Sequence, residues 1–72
     1  MDDPVTRYEE AVEALIHDPS RENDLAASRA HYDCACYVWL APWGVGWYRE
    51  RRLNRAMRRH LEAGGRIRLP QG

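Results

Sequence analysis

The candidate metal ligands and nucleophiles of this sequence are His31, Asp33, Cys34, Cys36 and His60. Zinc asks for four nitrogen or sulfur ligands arranged as a tetrahedron. On a helix, His31 and Cys34 at i, i+3 share a face, whereas Cys34 and Cys36 at i, i+2 project roughly 200° apart. One ion holds both thiols only if the helix breaks there, so neither a metal nor another cofactor is expected. The same geometry speaks against a Cys34–Cys36 redox pair. A nucleophilic Cys34 assisted by His31 has workable spacing. Beyond Asp33, however, no residue suggests itself to orient the base, and no oxyanion device is evident. Buried cysteine is usually inert packing.

Every basic residue is arginine; lysine is absent. That removes Schiff-base chemistry, a P-loop lysine and a Ser-Lys pair. At 72 residues the chain makes one domain with a modest core, and a substrate cleft of ordinary size would consume much of it. The sequence therefore predicts a protein that is not an enzyme.

Binding chemistry is better represented. The formal net charge is zero, but it is unevenly laid out. Residues 1–33 carry nine acids against three arginines, net −6, and residues 49–68 carry eight arginines against two glutamates, net +6. Arg51, Arg55, Arg58 and Arg59 fall at i, i+4, i+7 and i+8, a continuous helical stripe. Arg52 falls closer to the apolar side, where its stem would run along the core boundary. Such a stripe suits an acidic protein surface or a phosphate backbone. An acidic and a basic helix placed side by side would also attract each other, and self-association fits the same charge pattern.

All three tryptophans lie in one uncharged run, Cys34 to Tyr48. Trp43, Trp47 and Tyr48 crowd around Pro42-Trp43-Gly44-Val45-Gly46, a tight connection. Trp, Tyr and Arg are the residues richest in binding hot spots. Trp39 is expected in the core, with Trp43 or Trp47 partly exposed. The run is too short and too interrupted by Pro42, Gly44 and Gly46 to cross a bilayer. A membrane-surface anchor is disfavoured by the narrow apolar face of the basic helix. With an acidic N-terminus lacking an apolar signal segment, the expected location is cytoplasmic.

The elements that position these groups are helical. Asp3-Pro4 is an N-cap followed by proline at the first helical position, and Val5, Tyr8, Ala11, Val12, Leu15 and Ile16 recur at helical spacing. Pro19 ends this helix, giving about 4–17. Ser20 caps a second helix, about 21–40, with Leu25, Ser28, Tyr32, Cys36 and Trp39 expected on its inner face and Pro42 as its stop. The third, about 46–63, places Tyr48, Leu53, Ala56, Met57, His60 and Leu61 inward, and Gly64-Gly65 ends it. Residues 64–72 read as a short extended tail lying across the bundle. The fold class is all-α: one domain, 1–72, built as a small three-helix bundle.

The expected role is that of a small inhibitor or adaptor, of the kind phage and mobile-element genes encode. It would dock on a protein partner through Trp43, Trp47, Tyr48, Arg51, Arg55, Arg58 and Arg59. The alternative is DNA or RNA backbone binding by the arginine-rich third helix.

Overall fold

The computed structural model describes residues 3–39 and 45–67, without the side chains of residues 35, 36, 38, 39, 45 and 46. The expectations for Pro42, Trp43 and residues 68–72 lie outside the described residues, and those for Cys36 and Trp39 fall on side chains that are not described. Within them the chain is an all-α bundle of three helices: α1 (Pro4–His17), α2 (Arg21–Trp39) and α3 (Val45–Glu62). No helix among the described residues is long and apolar enough to cross a membrane.

Each helix end has an identifiable cause. Asp3 caps α1, its Oδ1 accepting from the Thr6 N–H at 2.7 Å, with Pro4 at the first helical position. At the other end the Asp18 N–H closes the last turn on Ala14 O at 2.9 Å, and Pro19 prevents continuation. Ser20 caps α2 by accepting from the Asn23 N–H at 3.1 Å. The Asn23 amide meanwhile donates to Asp18 O at 2.9 Å, which fixes the angle of the α1–α2 turn. α3 ends in a Schellman motif: Gly64 N–H reaches Leu61 O at 3.0 Å, Gly65 N–H reaches His60 O at 3.1 Å, and Gly64 takes φ +86°.

The core joins Val5, Tyr8, Val12 and Leu15 of α1 to Ala27 and Cys34 of α2 and to Leu53 and Ala56 of α3. The inner face of α2 differs from the expected one. Ala27, Ser28, His31 and Cys34 are buried, whereas Leu25 and Tyr32 are 38% and 53% exposed. That is a rotation of about 100° around the helix axis, the step of a single residue. Small side chains explain it, since alanine, serine and cysteine let α2 lie close against α1 where leucine and tyrosine would hold it off. Ile16, Tyr48 and Leu61, expected inward, are also exposed. After α3 the chain turns back toward α2, where Arg66 lies against Asp24 and Ser28, and continues as a strap to Ile67.

Candidate functional site

Two groups of polar side chains stand out, one inside the bundle and one on its surface. Inside, Tyr8, His60 and Asp24 form a chain of hydrogen bonds across all three helices. The Tyr8 hydroxyl and His60 Nδ1 are 2.9 Å apart, and His60 Nε2 and Asp24 Oδ1 are also 2.9 Å apart. The Asp24 carboxylate only accepts, so Nε2 carries the proton, and in the neutral ring Nδ1 takes the Tyr8 hydroxyl proton as acceptor. Asp24 Oδ1 also accepts from the Arg66 N–H at 2.9 Å, while Ser28 Oγ donates to Arg66 O at 2.6 Å. Both backbone groups of one strap residue are thus held by α2.

The order of groups resembles an acid–base relay, but Tyr8 and His60 have no solvent exposure. Burial also pushes the Tyr8 phenol well above its ordinary range, keeping it protonated. Asp24 lines an open groove of about 300 Å³ beside Pro19, Arg21 and Gly65. Neither reactive ring reaches that groove, so the network acts as a tie between helices.

His31 sits beside this network, with its ring 5.4 Å from that of Tyr8 in an edge-on arrangement. Its Nδ1 is buried with no hydrogen-bond partner among the described residues. Burial, with a smaller contribution from neighbouring His60, holds His31 below the ordinary histidine value of 6.5. An unfolded chain therefore takes up a proton near pH 6.5 that the folded chain refuses. Stability from this group is complete above that pH and declines as pH falls from 6.5 toward the folded value. The urea midpoint should fall between pH 7 and pH 5, and a His31→Leu variant should have a flatter profile there. An unchanged slope in the variant would remove His31 as the cause. Asp3 acts lower on the scale. Burial raises its carboxyl, but hydrogen bonds from Thr6 and the charge of Arg52 outweigh that and leave it below 3.8.

Cys34 is fully buried, its thiol donating to Pro4 O at 3.1 Å. Burial, reinforced by nearby carboxylates, pushes it up to about 12. A thiol in that state is a poor nucleophile. Among the described residues, no three His, Cys, Asp or Glu side chains converge as a metal ion requires. The side chain of Cys36, one of the candidate ligands, is not among those described.

On the surface, α3 presents its aromatic and arginine side chains in two directions. Toward α1, Arg52 pairs with Glu9, contacts the Thr6 hydroxyl at 3.1 Å and lies 3.5 Å from Asp3. Its bond to Glu9 holds the guanidinium even more firmly protonated than usual. Arg59 pairs with Glu13. The attraction between acidic and basic helices is therefore realised within the molecule. Away from the core, Trp47 and Tyr48 are 62% and 59% exposed. The Arg51 guanidinium lies over the Trp47 ring at 4.9 Å, Arg52 lies 6.0 Å from the Tyr48 ring, and Arg49 stacks on Tyr37 at 3.8 Å. Arg51, Arg55 and Arg58 are exposed, as is Arg59 in its pair with Glu13. Of the residues expected to bind a partner, Trp47, Tyr48, Arg51, Arg55 and Arg58 thus share the surface of α3. Arg59 leans onto α1, and Trp43 lies outside the described residues.

The sequence did not single out the Tyr8–His60–Asp24 network. Tyr8 and His60 were placed inward by their helical spacing, but no spacing rule joins them to Asp24. Comparison of the chain with protein-family models, curated proteins and solved structures found no match.

Proposed function

We propose that this chain is a non-enzymatic docking protein, an inhibitor or adaptor that binds another protein through the outer surface of α3. One observation carries the reading. Trp47 and Tyr48 stand more than half exposed on a helix already fixed to the bundle by Arg52 and Arg59, and both rings are paired with guanidinium groups. Large rings presented on a rigid element lose little entropy on binding, and Trp, Tyr and Arg dominate interface energetics.

The test is capture from a lysate of the source cell by tagged protein, with and without nuclease and at low and raised salt, with wild type and Trp47→Ala in parallel. A protein held by the wild type should be lost from the variant, with the variant's circular dichroism unchanged. Retention through nuclease-sensitive material alone would instead favour DNA or RNA. Contacts from Arg51, Arg55 and Arg58 would then give a salt slope of about −3 in log–log form.

A further inference from the structure

The exposed side of α3 has a regular spacing of its own. Trp47, Arg51, Asn54, Arg58 and Leu61 are separated alternately by four and three residues, and all five are exposed. That is the spacing by which one helix lays a seam along another, and over two heptads the stripe drifts only about 40° around a straight helix. It lies away from Leu53, Ala56 and His60, which face the core, and away from Arg52 and Arg59, which face α1. The apolar positions are at its ends: Trp47 is 62% and Leu61 56% exposed. Arginine occupies the positions between them, on either side of a central asparagine. The stripe covers about 21 Å of helix.

We infer that this seam receives an acidic amphipathic helix from a partner protein, with carboxylates opposite Arg51 and Arg58 and apolar side chains opposite Trp47 and Leu61. The inference rests on the docking reading above and names the chemistry of the partner. The molecule already contains an example of the pairing, since Arg52 and Arg59 hold Glu9 and Glu13 of α1. A second copy of the seam is a poor occupant because it would place arginine close to arginine. The chain's own acids do not form a matching ridge either. Asp3, Glu9, Glu13 and Asp24 are engaged by other groups of the same molecule, and on the exposed faces Arg7, Arg21 and Arg29 are interspersed with Glu10, Glu22 and Asp33. Nucleic acid fits less well. Glu9 and Glu13 already engage Arg52 and Arg59, and Glu50 and Glu62 stand on the same helix, so few of its positive charges are left for a phosphate backbone. The central Asn54 gives such a pairing a polar register mark.

The probe is a stapled helical peptide of about three heptads. It carries leucine opposite Trp47 and Leu61, glutamine opposite Asn54 and glutamate opposite Arg51 and Arg58. It should bind the full chain and shift the α3 amide resonances of the seam. The double variant Arg51→Glu, Arg58→Glu should bind about 100-fold more weakly, the scale expected for two close charge pairs. A peptide with arginine in place of its two glutamates should restore binding to that variant, which a merely misfolded protein would not allow. Failure of the peptide to bind, indifference to the charge reversal, absence of rescue, or displacement of the peptide by a DNA duplex would each overturn the inference. Suppose the lysate partner still depends on Trp47 while the peptide fails: the acidic helix is then wrong and the docking reading stands. If no lysate partner depends on Trp47, the docking reading falls as well.

Discussion

Replacing His60 with alanine should lower the unfolding free energy by about 3–5 kcal/mol, the range for emptying a large buried site. The ring is fully buried, and its loss leaves a cavity between α1, α2 and α3. It also takes the acceptor from the Tyr8 hydroxyl and the donor from Asp24. A buried hydroxyl without its partner adds about 1–3 kcal/mol on its own account, so the upper half of the range is expected. Chains of this length have total stabilities of about 4–11 kcal/mol, and the variant would stand close to unfolding. Urea denaturation followed by far-ultraviolet circular dichroism measures it directly. His17→Ala, at the exposed end of α1, is the control and should move the midpoint little. A loss below about 1 kcal/mol for His60→Ala would mean the network does not tie the helices together.

The second large effect belongs to a glycine. At Gly65 an added Cβ would lie 2.5 Å from His60 Nε2 and 2.8 Å from Asp24 Oδ1. Neither neighbour can retreat easily, because His60 is held at both nitrogens and Asp24 is also bonded to Arg66. Gly65→Ala should therefore cost about 3 kcal/mol, the upper end of the overpacking range. Its neighbour separates crowding from backbone strain. Gly64 has φ +86° and open space where a methyl would stand, so Gly64→Ala should cost only the left-handed conformation, about 1–2 kcal/mol. Thermal or urea unfolding of the two variants side by side gives the comparison. Equal losses would show that the strap moves aside without disturbing His60.

Much of the architecture was readable from local signals. Asp3-Pro4 and Pro19 mark the ends of α1, and Gly64-Gly65 marks the end of α3, because caps and breakers act within a few residues. The face of α2 was not readable in the same way. Apolar spacing weights Leu25 and Tyr32 heavily, yet this helix buries alanine, serine, histidine and cysteine, whose fitness for the interior depends on what lies opposite. His31 is inside because Tyr8 is there to meet it, a condition no periodicity encodes. Of the surface stripe, the sequence revealed the arginines and set Arg52 apart near the core boundary, but it left Arg59 in the stripe. Only packing determines that Arg59 turns to Glu13 of α1 while Arg51, Arg55 and Arg58 do not engage that helix.

The Tyr8–His60 hydrogen bond joins residues 52 positions apart, and this separation bears on how the chain assembles. On a ribosome, α1 and α2 emerge while the residue that completes their polar contacts is still enclosed in the exit tunnel. Until α3 packs, water serves as the partner of the Tyr8 hydroxyl, and its bond within the protein forms only with the last helix. Loop closure over so long a stretch adds only slowly to the entropy cost, so waiting for α3 is not itself a severe handicap. The buried histidine thus makes assembly conditional on the last helix and its glycine turn, and a nascent or truncated chain ending before residue 60 is left without a finished core.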